Sequence, residues 1–334
     1  MSTGARSLES GNVVAAHSVH EFVFSVPDLD QAEKFYKAFG LSVCREQGSL
    51  GLYTYGHQHR WARIFQSDKK RLLWISWGIY AADLDSFNAR LRDLGVEFIN
   101  VPEHADSDGI WFLGPDGLPH CVVVADKCSP DTKTVRVFPP DHGNFGRAPQ
   151  RSHVTQVQPS RLSHILLFSP DVDAGVKFYS TVLGLRLSDR SGSIIAFMHT
   201  PHGSDHHLIA MAKSRHYGLH HSSWDVSSFD DVGIGSQQMA DAGHADGWGL
   251  GRHVLGSNYF RYVRDPWGSY AEYSYDIDFI SAGQDWPADD YPAEDALYVW
   301  GPPLPNDFIT NYEDEPEGEW QAAVDHRASH PTQP

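Results

Sequence analysis

The sequence predicts an α+β fold built from four copies of one βαβββ unit, two in each half of the chain. Three observations predict it. The stretch HEFVFSVPDLDQAEKFYKAFGL, beginning at His20, and the stretch HILLFSPDVDAGVKFYSTVLGL, beginning at His164, share an opening His, a Pro-Asp cap, a Phe-Tyr pair and a closing Gly-Leu, which makes an internal repeat of about 144 residues. The stretch from Arg71 (RLLWISWGIYAADLDSF) matches that from Tyr217 (YGLHHSSWDVSSFDD), each a strand with a Trp near its end, a polar cap and a helix that stops at Gly95 or Gly243. GPDGLPHCVVV from Gly114 then parallels DPWGSYAEYSY from Asp265.

Taken in order, residues 1–16 read as a loose leader and 17–137 as the first domain. In this domain an Asp-rich cap at Asp28 and Asp30 starts an amphipathic helix that closes near Gly40, followed by short turn-separated strands at Ser42, Gly51 and Trp61. Residues 138–160, rich in Pro, Gly and polar residues and without periodicity, read as a linker to a second domain over 161–280. Residues 281–334 form an acidic tail with twelve Asp or Glu against one Arg. Its Trp and Tyr residues predict an ordered arm over 281–312 laid on the second half, with a mobile end past Glu313.

The 334 residues, 41% hydrophobic and 21% charged, suit a globular chain with a sizeable core. A net charge of -17 argues against nucleic acid or an anionic membrane as partner. No apolar run approaches the ~20 residues of a membrane helix, and the N-terminus lacks a signal-peptide core. Three cysteines, Cys44, Cys121 and Cys128, fit neither a disulfide framework nor a zinc motif, so a reducing, cytoplasmic setting is expected.

The chemistry centres on Gly251 to Asp276. Asp265-Pro266-Trp267-Gly268 makes a turn between two aromatic-rich strands, and the second of these carries Glu272. A carboxylate in such a strand is costly to bury unless it is paired or binds a metal. Repeat-related positions offer His164 and His221 as partners, and two imidazoles with one carboxylate are the facial triad of non-haem Fe(II) oxygenases. By the same alignment the first half places His20, Trp74 and Cys121 at these positions. Trp cannot ligate a hard ion, so the first half is expected to be structural, with one metal per chain.

The second half, through LSHILLFSPDVDAGVKFYSTVLGL, GLHHSSWDV and GRHVLGSNYFRYVRDPWGSYAE, resembles the type I extradiol ring-cleavage dioxygenases of the vicinal oxygen chelate superfamily. The resemblance covers roughly residues 17–280, more weakly in the first half, and implies that the second domain forms a half-open barrel around the metal. It implies His164, His221 (rather than His220) and Glu272 as ligands of Fe(II), with Mn(II) the other possible ion. It also implies His206 as an acid-base histidine, and His253 and Tyr262 as groups that hydrogen-bond the substrate. The implied reaction cleaves a catechol beside its diol with O2 to a muconic semialdehyde-type product, in a homo-oligomer, a tetramer or dimer. The tail, including WGPPLPNDF, is similar to the C-terminal arm of the homoprotocatechuate-cleaving branch, which holds a substrate carboxylate with arginines; here Trp248 stands near one of those positions and PAEDALYVWG offers no match for the arginines of the arm. An uncharged or apolar ring substituent is therefore expected, with Phe197 and Trp248 lining the pocket. A glyoxalase-like isomerase or lyase and a non-catalytic ligand-binding protein of the same superfamily are the alternatives. Trp74 and Cys121 argue against the first, and the full set of site residues against the second.

Overall fold

The computed structural model describes residues 13–105, 109–135 and 148–313; the expectations for residues 1–12 and for the end past Glu313 lie outside these. Four helices, α1 (Leu29–Ala38), α2 (Leu84–Asp93), α3 (Val172–Thr181) and α4 (Phe229–Asp241), each follow a long strand. The starts of α1, α3 and α4 are set by side-chain capping, whereas Asp83 at the start of α2 makes no such bond. Asp28, held extended, accepts from the Asp30 and Gln31 amides, Asp171 does the same for Ala174, and Ser228 for Asp231. The Phe-Tyr pairs of the repeat, Phe35-Tyr36 and Phe178-Tyr179, fall on the buried faces of α1 and α3.

The first half forms a seven-stranded sheet in which the strand Ser18–Val26 lies between Ala62–Gln66 and Arg71–Ile79. The second half forms a nine-stranded sheet. Its inner strands run in the order Tyr259–Arg264, Tyr270–Tyr275, Gly218–Asp225, Arg161–Ser169 and Ile209–Lys213, and it curls into a half-barrel. Three of the four units read βαβββ. In the second unit the first short strand shrinks to a single bridge, Phe98 to Phe112.

The two halves share one core. Tyr273 stacks on Phe39 with centroids 3.9 Å apart and donates to its carbonyl; Trp77 meets Tyr179 at 5.7 Å. Helix α4 approaches its sheet so closely that a Cβ at Gly235 would lie 2.8 Å from the Tyr273 ring, which is why a helix-weakening Gly is placed there. The end of the expected leader is packed rather than loose: Ala15 and Ala16 are buried, and the Ala16 amide donates to the Leu183 carbonyl. The described part of the expected linker also docks, with the Val157 amide on Gln238 and the Ser160 amide on the Asp225 carbonyl.

The arm is described from 281 through Glu313. Tyr298–Trp300 adds a strand to the edge of the second sheet, beside Gly247–His253. Among the described residues no helix is long and apolar enough to cross a membrane.

Candidate metal centre and active site

Sheet register brings the three expected ligands together. Ser223 lies opposite His164 on one side and Glu272 on the other, and His221 sits two residues back on the same face. His164 Nε2 is 3.3 Å from His221 Nε2, and Glu272 Oε2 is 3.4 Å from the first and 3.5 Å from the second. All three residues are buried. Donors about 2.1 Å from a common ion at near-right angles would be roughly 3 Å apart, so the triangle fits one ion with small closing movements.

The hydrogen-bond pattern fits the same group. Glu272 Oε1 accepts from Asn258 Nδ2, whereas among the described residues the buried Oε2 has no hydrogen-bond donor. An unpaired buried carboxylate oxygen is costly, and a cation removes the cost. Burial pushes the Glu272 carboxyl up, but His164, His253 and Ser223 more than offset this and leave it below the usual carboxylate range.

Each of the two candidate ligand histidines is fixed in a tautomer with Nε2 bare. The Phe308 carbonyl can only accept, so His220 Nε2 carries the proton that bonds it at 2.8 Å. His220 Nδ1 is then the acceptor for His221 Nδ1–H at 2.7 Å. Ser163 donates to Asp205 at 2.7 Å, so its oxygen accepts from His164 Nδ1–H at 3.2 Å. Such outer partners orient metal-binding imidazoles. Burial holds His221 well below the ordinary histidine range, hence neutral as a ligand must be.

Beside the triad lies a cavity of about 220 Å³, lined by His164, His207, His220, His221, His253 and Tyr262 at one end and by apolar side chains including Leu166, Ile195, Phe197 and Leu255 elsewhere. Arm residues Ala293, Ala296, Leu297, Leu304, Phe308 and Ile309 complete the wall. Tyr262 lies directly opposite Glu272 in the ladder, so both face the same side. The Leu297 carbonyl takes the His253 Nδ1 proton, which leaves Nε2 to accept from the Tyr262 hydroxyl at 2.9 Å. Burial, then the nearby Glu272, raises the Tyr262 phenol well above its ordinary value and keeps it a donor.

Three expectations need correction. His206 does not reach the cavity: it is fully buried behind it, bonded to Asp189, and the neighbouring His207 is the residue on the wall, its ring 4.0 Å from that of His164. Trp248 is also behind the wall, stacked on Tyr262 at 5.6 Å with Nε1 on the Pro302 carbonyl; Phe197 does line the cavity. In the first half the counterpart of His164 is Glu21 rather than His20. Ser76 lies opposite Glu21 and Cys121, as Ser223 lies opposite His164 and Glu272. A bulge after Val19 turns His20 the other way.

Glu21 is paired with Arg60 at 2.5 Å and Arg63 at 3.7 Å, and the buried Arg63 guanidinium lies 5.9 Å from the Trp74 ring. A cationic side chain thus fills the first half where the second has its triad. His20 instead lies with His59 and Cys128, donor atoms within 4.8 Å of one another. In this half-buried group His59 Nε2 and Cys128 Sγ already face the His20 and Val19 carbonyls.

Sequence reasoning missed His207, Asn258, His220 and Asp189 as members of the site. Only the two His-His pairs carried a visible signal.

The family model described as Glyoxalase/Bleomycin resistance protein/Dioxygenase superfamily matches residues 18–122 and 161–273. Metapyrocatechase 2 of Cupriavidus necator is 48% identical over 299 residues, 90% of this chain and 93% of that protein. A Mn(II)-bound glyoxalase from Novosphingobium aromaticivorans superposes with a TM-score of 0.69 at 25% identity, over 87% of this chain and 95% of that one. An extradiol ring-cleaving dioxygenase from B. fuscum shares the fold at TM-score 0.69 and 17% identity, over 90% and 84% of the two chains. With two matched segments spanning both halves, and a relative similar over nearly its whole length, the chain belongs to the Glyoxalase/Bleomycin resistance protein/Dioxygenase superfamily.

Proposed function

We propose that the protein is an extradiol dioxygenase that opens the ring of a substituted catechol beside its two hydroxyls, with O2 as oxidant and Fe(II) held by His164, His221 and Glu272. The observation that carries this reading is the buried triangle of two bare imidazole nitrogens and one donorless carboxylate oxygen beside an apolar cavity. Similarity to Metapyrocatechase 2 over 90% of the chain supports it. When bound, the ion supplies a template and a Lewis acid that bring diol and dioxygen together.

The remaining work falls to the chain. The apolar walls exclude water, which strengthens every polar contact inside. His207 takes the acid-base role expected of His206. It faces the cavity, and burial, then the other histidines, holds it well below the ordinary range, so the imidazole is neutral and accepts a proton from a catechol hydroxyl. The Tyr262 phenol spends its one proton on His253 Nε2, so its oxygen is left to accept from a catechol hydroxyl, and His253, anchored by the Leu297 carbonyl, holds that phenol in place.

The far wall favours an uncharged or apolar ring substituent. Among the described residues Lys213 is the only Lys or Arg on the lining, and it is exposed and bonded to the Pro170 carbonyl. A substrate carboxylate there would lose its water without gaining a buried partner.

Reconstitution with Fe(II) under argon, then addition of catechol and air, tests the reading. Oxygen uptake equal to the catechol consumed, with a yellow ring-opened product, is expected. Alkyl- or aryl-substituted catechols should react at least about tenfold better in kcat/KM than carboxylate-bearing ones, the equivalent of roughly 1.4 kcal/mol. An isomerase of the glyoxalase type would take up no oxygen.

A further inference from the structure

We propose that Asp189 and His206 are positioning residues that lock His207 in the one tautomer presenting a bare nitrogen to the cavity, and that the arm segment 286–289 holds this chain of groups in place. The inference rests on the ring-cleavage reading above for its kinetic consequence, though not for its geometry.

Asp189, His206 and His207 are all buried, in a row leading outward from the cavity. Asp189 Oδ2 lies 2.7 Å from His206 Nε2, and His206 Nδ1 lies 3.0 Å from His207 Nδ1. A carboxylate only accepts, so His206 Nε2 carries a proton. In a neutral imidazole Nδ1 is then bare, and it can be satisfied only by a proton on His207 Nδ1. His207 Nε2 is left bare, the form a base must have. The opposite tautomer of His206 would set lone pairs against each other at the Asp189 contact.

The outer end is tied to the arm. The Asp289 amide donates to Asp189 Oδ1 at 2.9 Å, and Trp286 Nε1 reaches Oδ2 at 3.4 Å. The Trp286 ring also meets the His206 ring edge-on at 5.5 Å. The same logic operates on His221 through His220 and the Phe308 carbonyl. The arm therefore supports both a metal-ligand imidazole and the base, through two separate segments.

The test is Asp189→Asn in the iron-loaded protein. The amide can donate as well as accept, so both tautomers become available to His206 without a change of shape. Iron content should remain near one per chain and KM within about twofold, whereas kcat falls roughly 10- to 100-fold. Histidine-selective 15N spectra of the Zn(II)-loaded protein read the tautomer independently, with the His207 signals assigned by their loss in His207→Asn. A bare Nε2 is expected in the wild type and a mixture in the Asp189→Asn variant. Unchanged kcat, a parallel loss of iron and kcat, or a wild-type His207 with protonated Nε2 would each overturn the proposal. A wild type with bare Nε2 that opens no catechol would instead overturn the dioxygenase reading and leave the tautomer assignment standing.

Discussion

Glu272 Oε2 is a buried carboxylate oxygen without a hydrogen-bond donor, and it sets the demands on its neighbours. Glu272→Ala removes the only anionic donor of the triangle, so the variant should lose stoichiometric iron; metal analysis after gel filtration checks this, and retention of one iron per chain would remove Glu272 from the triad. His207→Asn should keep its iron yet lose about 100-fold or more in kcat, the usual cost of a missing acid-base group. The clustering of His164, His221 and Glu272 was legible because a carboxylate in an aromatic strand demands a partner and the repeat pointed to where partners stand. Adjacent histidines were harder. Neighbouring strand residues point to opposite faces, and one bulged residue reverses the assignment; His206 and His207 lie between two strands, where no period sets the face. At His220-His221 the sequence reading chose the residue that structure puts in the triangle. At His206-His207 it chose the one behind the wall, and at His20-Glu21 a bulge after Val19 produced the same one-residue error.

Among the elements, the helices were the most readable, because their caps are chemical. Asp171→Ala should cost about 1 kcal/mol of stability, measured by urea unfolding, since the Asp171 side chain satisfies the Ala174 amide. The arm was readable as ordered, from its aromatics, but not as a cavity wall. Its path depends on contacts with no sequence period, such as Phe308 packed against His220, Tyr262 and Tyr270 with centroids 4.8 to 5.0 Å away. Phe308→Ala should cost about 3 kcal/mol, and it should weaken catechol binding more than iron binding, because the backbone carbonyl that orients His220 remains. Titration with a non-reactive catechol analogue separates the two effects. Trp248 shows the limit of position-by-position carry-over: it stands beside Tyr262 in the ladder, yet its ring packs behind the site.

At the scale of the whole molecule, the two halves and the arm are joined by buried charge as well as by the common core. Lys70 of the first half bonds Ser269 and lies 3.7 Å from Asp265 and 3.6 Å from Glu313, all of them buried side chains. Lys70→Met leaves two carboxylates without their cation and should cost about 3–5 kcal/mol. The shared core also predicts acid sensitivity. His120, packed between Phe178 and Tyr179, is pushed down to about 3 by burial. The unfolded chain takes up that proton below about pH 6.5 while the folded chain does not. Its contribution is therefore complete above pH 6.5 and is lost as pH falls toward 3, by up to about 1.4 kcal/mol per pH unit. His120→Gln should flatten the fall in stability between pH 6.5 and 4.

The central claim is that His164, His221 and Glu272 share one ion, and anomalous diffraction at the iron edge from crystals of the Fe(II)-reconstituted protein tests it most directly. A single strong peak about 2.1 Å from His164 Nε2, His221 Nε2 and Glu272 Oε2 is the predicted result. Iron bound elsewhere, or no peak within the triangle at full metal loading, would contradict it.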